Sequence, residues 1–196
     1  MDLNQLPDCE LVKRFINGSQ SSIEVLINRH RNRVYTYIVL IVRNQQLAED
    51  IFQDTFIKVI QSLQNGQYTD SGRFLSWVIR IAHNLIIDHF RRDKQFNTST
   101  SEDYDTDIFN SRKLAHGNIE DEIVYDQILS DVRNLVSELP PDQREVVLLR
   151  HYGGLSFKEI AEQTNVSINT ALGRMRYALI NLRKLIQEKK LNLTLT

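Results

Sequence analysis

Residues 156–178 read SFKEIAEQTNVSINTALGRMRYA, and their parsing decides the fold. Ser156 followed by Glu159 has capping-box spacing, in which the hydroxyl accepts from a backbone N–H and the carboxylate reaches back to the start of the helix. That box opens a helix through Ile160 and Ala161 to Thr164. Asn165-Val166-Ser167 makes a turn, and Ser167 caps a second helix with a buried stripe of Ala171, Met175, Ala178, Leu182 and Leu185. Asn169, Thr170, Gly173, Arg176 and Tyr177 face outward, with Arg174 on the flank. A short helix, a three-residue turn and a second helix with a polar, basic first half make a helix-turn-helix, whose outer residues can enter a major groove. A plain helical hairpin with a solvated face is the weaker reading, because caps, turn and charge agree. Residues 168–190 carry Arg174, Arg176, Arg183, Lys184, Lys189 and Lys190 against Glu188 alone.

Working back along the chain, Gly153-Gly154 breaks a short helix over about 142–151. Pro140-Pro141 stops an earlier helix carrying Ile123, Ile128, Val132, Leu135 and Leu139. Before it, residues 95–122 (QFNTSTSEDYDTDIFNSRKLAHGNIEDE) have no helical or alternating period and read as a linker rather than a long internal loop. Charge marks the same boundary. Residues 1–94 hold 12 basic and 10 acidic side chains, 95–122 hold 2 and 7, and 123–196 hold 10 and 8. The expectation is an all-α protein of two small helical domains, 1–94 and 123–196, joined by a flexible acidic linker.

In the first domain Asp8 can cap a short helix with Leu11, Val12 and Phe15 inward, ended by Gly18. Ser21 and Glu24 have capping-box spacing before a long helix to about Arg43, with Ile23, Ile27, His30, Val34, Ile38 and Ile41 inward. Its VYTYIVLIV run has strand propensity, but the helical period continues through it. A third helix, about 45–63, buries Ala48, Phe52, Phe56, Val59 and Leu63. Leu47 and Ile51 fall on the opposite side, beside Asp50, Asp54 and Lys58. They form either a second apolar face for a partner protein or a contact with another helix of the bundle.

A loop bracketed by Asn65-Gly66 and Asp70-Ser71-Gly72 precedes a fourth helix, with Phe74, Val78, Ile81, Ala82, Leu85 and His89 inward. On its outer side Arg73, Trp77, Arg80, Asn84 and Arg91 fall together. Guanidinium groups bind phosphates and an indole stacks on an unpaired base, which is the chemistry that single-stranded nucleic acid requires.

The composition excludes other classes. With 41% hydrophobic residues the chain is no disordered tail, and its one cysteine, Cys9, can form neither an internal disulfide nor a zinc site. No metal or other cofactor is expected. The longest apolar run, Val34 to Val42, is too short to span a bilayer, and the first residues lack the basic start of a signal peptide. The expected location is the cytoplasm. His83 with Asp88, or His151 near Glu145, make neither a ligand triad nor an activated nucleophile, so no enzyme activity is expected.

With these residues in view, the chain resembles the bacterial RNA polymerase sigma factors of the extracytoplasmic-function (ECF) group over nearly its whole length except the linker. Ala48-Glu49-Asp50-Ile51-Phe52-Gln53-Asp54-Thr55-Phe56 resembles the family's AED-hydrophobic-xQ-xxF segment, which docks on the clamp helices of the largest polymerase subunit. The resemblance implies a polymerase-binding role for Leu47, Asp50, Ile51, Gln53 and Asp54. Residues 74–84, FLSWVIRIAHN, with Asp88, Arg91 and Arg92, resemble the family helix that melts and reads the upstream edge of the minus-ten element. Leu139-Pro140, Gln143-Arg144 and Val147, then Gly154 to Ala161, resemble the family pattern around the helix-turn-helix that reads the minus-thirty-five element. Where many members have T-V-K-S-R-x-x-R-A, this chain has Thr170-Ala171-Leu172-Gly173-Arg174-Met175-Arg176-Tyr177-Ala178. The resemblance implies core RNA polymerase and promoter DNA as partners, an anti-sigma factor as a candidate third, and a linker that threads the polymerase channels. The competing function is a helix-turn-helix regulator acting alone as a dimer, which leaves the outer stripe of the fourth helix unused.

Overall fold

The computed structural model describes residues 2–69, 72–96 and 131–191, leaving aside the side chains of 94–96. Most of the expected linker, with Ile123 and Ile128, lies outside them. Among the described residues there is no strand. After a 3-10 turn at Leu3–Gln5 come α1 (Asp8–Ile16), α2 (Gln20–Val42), α3 (Gln45–Gln64) and α4 (Phe74–Phe96). A helix whose described residues are 131–137 (α5) is followed by α6 (Pro141–His151), α7 (Phe157–Gln163) and α8 (Ile168–Glu188). The chain divides into two compact units, Met1–Tyr104 with Tyr152–Gly154, and Asp105–His151 with Leu155–Thr196.

In the first unit α2 packs against α1, α3 and α4. That placement explains the apolar run in its second half: Tyr37, Ile38, Val39, Leu40 and Val42 are all buried. A helix enclosed by neighbours needs no polar face, so burial overrides the strand propensity of β-branched residues there. Its start differs from the expectation. The N-cap is Ser19, which accepts from Ser22 Oγ at 3.0 Å, and the Ser21–Glu24 box does not form. Arg43 ends α2 with φ +54°, and Asn44 caps α3 by accepting from the Leu47 N–H at 3.0 Å.

Asp8 is the first helical residue of α1 rather than its cap. Its carboxylate meets Arg29 at 2.6 Å and His30 Nε2 at 2.8 Å, tying α1 to α2. The hydrogen bond with His30, reinforced by its charge and by Arg29, holds Asp8 below the ordinary carboxylate range.

α4 buries Phe74, Val78, Ile79, Ala82, His83 and Ile86, whereas Ile81, Leu85 and His89 are half-buried. The expected stripe was therefore centred too far round the helix. α4 packs against both α2 and α3, which widens its buried arc toward Ile79 and His83. His83 Nδ1 lies 2.8 Å from the Tyr37 hydroxyl, and burial pushes its pKa down to about 4. In the second unit α8 packs against α6 and α7 around Leu148, Leu149, Leu155, Ile160, Ala171 and Ala178. Pro141 opens α6 at a position where its missing N–H costs nothing.

Candidate nucleic-acid and polymerase interfaces

On α4 the outer arc holds what its sequence projection placed there. Trp77 and Arg80 are half-buried, Asn84 and Arg91 exposed, and exposed Arg73 immediately precedes the helix. Arg91 lies 3.7 Å from Asp88 one turn back, a loose surface pair. Trp77 is seated in an aromatic cluster, its ring 4.5 Å from Tyr68 and 5.8 Å from Phe74. Tyr68 also meets Phe74 edge-on at 5.9 Å. Sequence reasoning missed Tyr68. Its signal was an aromatic residue in a loop bounded by Gly66 and Gly72, both at positive φ, where a solvated tip would carry polar residues. The cluster props the indole so that one part is held by protein and the rest stays accessible, next to a guanidinium and an amide.

On α3, Asp50, Gln53 and Asp54 are exposed and Leu47 is half-buried, but Ile51 is a core residue at 4% exposure. The partner-facing reading of Ile51 is corrected by this. At about 100° per residue Ile51 sits only roughly 60° from Ala48, and α3 is wedged between α2 and α4, so its buried arc extends that far. The apolar residue on the outer face is instead Ile57, 53% exposed and roughly 180° from Ala48, with the acids around it.

In the second unit the capping box forms as read. Ser156 Oγ accepts from the Glu159 N–H at 3.3 Å, and the Ser156 N–H donates to Glu159 at 2.8 Å. Asn165 turns the chain with φ +54°, and Ser167 Oγ accepts from the Thr170 N–H at 3.0 Å to start α8. Asn169, Thr170, Arg176 and Tyr177 are exposed, and Gly173 is half-buried. Arg174, expected as a DNA-binding cation on the flank of this face, pairs with Asp142 at the start of α6 at 2.7 Å and is 23% exposed. Glu145, one turn further along α6, is pushed above the ordinary carboxylate range by burial, which the Arg174 charge partly offsets. Met175, Leu182 and Leu185 are half-buried, so the deepest part of the α8 contact is Ala171 and Ala178.

The sequence matches the family model of Sigma-70 region 2 over residues 26–96 and that of Sigma-70, region 4 over residues 129–177. It is 33% identical over 180 residues to the RNA polymerase sigma factor CarQ of Myxococcus xanthus, covering 92% of this chain and 98% of that protein. It is 34% identical over 160 residues to the ECF RNA polymerase sigma factor SigE of Mycolicibacterium smegmatis, covering 81% of this chain and 59% of that one. The fold is similar to the sigma factor RpoE of Bartonella quintana, solved with the anti-sigma factor NepR, at TM-score 0.56, 18% identity, and 84% and 96% coverage.

Proposed function

The chain belongs to the ECF group of RNA polymerase sigma factors, which bind core polymerase and direct it to promoters, and from that membership we propose how its residues divide the work. Residues 1–94 bind core polymerase and act at the minus-ten element, 95–122 form the acidic linker, and 123–196 read the minus-thirty-five element. Core polymerase is met by Leu47, Asp50, Gln53, Asp54 and Ile57 on α3. Arg73, Trp77, Arg80, Asn84 and Arg91 act on the melted strand. Asn169, Thr170, Gly173, Arg176 and Tyr177 enter the major groove, and Arg174 positions α8 through Asp142. The chain supplies no catalytic group of its own and works in the cytoplasm beside the polymerase. An anti-sigma factor restrains it, a reading supported by the NepR complex of the structurally similar RpoE.

The observation that carries this division is the outer arc of α4. An indole braced by Tyr68 and Phe74, flanked by Arg80 and Asn84, suits an unstacked base better than a closed duplex. A lone duplex-binding regulator has no use for it. The test is permanganate footprinting of promoter melting by reconstituted holoenzyme, beside a promoter with a pre-opened bubble. Arg80→Ala and Asn84→Ala should lower melting while polymerase binding persists, and the bubble should rescue a melting defect more than a base-reading defect. Normal melting in both variants would reduce the arc to a solvated face.

A further inference from the structure

Leu172 is an exposed apolar residue in the first two turns of α8, and we propose that it packs against the 5-methyl group of a thymine in the major groove. A T·A pair at one position of the upstream element then becomes a specificity determinant of this chain. The inference rests on the assignment of α8 to the major groove.

Fully buried Ala171 fixes the rotation of α8 against its neighbours, and from that rotation Leu172 projects outward at 43% exposure. It lies three residues after Asn169 and four before Arg176, on the helix side that both share. In a helix lying in the major groove, Arg can read guanine, Asn can read adenine, and an aliphatic side chain can read only the thymine methyl. Gly173 lies beside it with nothing within 4 Å of where a Cβ would stand, so the helix surface is low there. The apolar character also continues past Leu172. With Phe157, Met175, Leu179 and Ile180 it lines a shallow groove of about 420 Å³, to which Arg176 and Arg183 also contribute. Two guanidinium groups interspersed with apolar side chains complement a polyanion that carries methyl groups.

Holoenzyme reconstituted from the full chain and core polymerase selects sites from a randomised duplex library. Thymines of the enriched upstream element are then replaced singly by uracil, which removes the methyl and keeps every hydrogen-bonding group. One replacement should lower affinity about three- to fivefold, the worth of a buried methyl-sized group. Leu172→Ala should bind the thymine and uracil forms equally at that position, and Leu172→Lys should shift the preference there toward guanine. Circular dichroism should be unchanged for both, since the side chain is on the helix surface. The inference is overturned if wild type is indifferent to uracil throughout, if the enriched element has no thymine, or if the uracil effect survives in Leu172→Ala. It is also overturned if Leu172→Ala weakens only the association with core polymerase, which would put a protein on the groove. Enrichment of no upstream sequence at all would remove the major-groove assignment of α8 as well, whereas enrichment without a uracil effect removes this inference alone.

Discussion

Two isoleucines on α3 separate a packing role from a binding role. Ile51 is buried on α3, which packs against α2 and α4, so Ile51→Arg puts a charge into the core and should cost at least about 3 kcal/mol, lowering the urea midpoint of the first unit. Ile57→Arg should leave that midpoint in place and weaken co-purification with core polymerase about tenfold, because only an outer contact is lost. Trp77, the single tryptophan, is a built-in reporter of the first unit for both measurements. His83 predicts a pH dependence in the same signal. Its folded pKa of about 4 lies below the ordinary value of 6.5, so the unfolded chain binds more protons between those limits. Stability is therefore fully present above about pH 6.5 and falls as the pH drops toward 4, by about 2 kcal/mol between pH 7 and pH 5. Asp8 acts in the same direction only below its ordinary 3.8, outside that window. Urea melts followed at Trp77 at the two pH values check the slope, and His83→Gln should flatten it.

At the scale of elements, α6 sets α8. The Arg174–Asp142 contact at 2.7 Å joins the first turn of one helix to the second turn of the other, so Arg174 spends its charge on orientation. Such a partly exposed pair is worth up to about 1 kcal/mol, which limits the effect on upstream-element affinity to about fivefold. Asp142→Ala and Arg174→Ala should each weaken binding of holoenzyme to that element, and the double variant should be no worse than either alone. If Arg174 served phosphate directly, Asp142→Ala would instead tighten binding by removing a competing carboxylate. Filter binding of the three variants distinguishes the two. The capping boxes belong to this scale as well. Ser156–Glu159 was legible because both partners are local, while Ser21–Glu24 was not realised because Ser19 caps α2 two residues earlier.

At the scale of the whole molecule, the two mildly basic ends and acidic middle sum to a net charge of -1. The free chain has no large positive field to hold duplex DNA, so it should bind a promoter fragment no more tightly than about 10 μM, the range of non-specific binding. Adding core polymerase should bring promoter binding into the nanomolar range. Fluorescence anisotropy with and without polymerase checks this, and tight, sequence-selective binding by the free chain would favour the lone-regulator reading.

Among the described residues the order of the helices, the helix-turn-helix and the outer stripe of α4 were determined by the sequence alone, because caps, turn residues and a 3.6-residue period act within a few residues of one another. The period locates the middle of a buried face but not its width, which depends on how many helices surround it. Hence Ile51, Ile79 and Ile86 entered the core only once α3 and α4 were each packed against more than one helix. The partners of Arg174 and Asp8, and the seat of Trp77 on Tyr68, join segments that sequence spacing does not relate. Only tertiary packing brings those atoms within reach, and so only the structure decided which cation is already paired and which aromatic is braced.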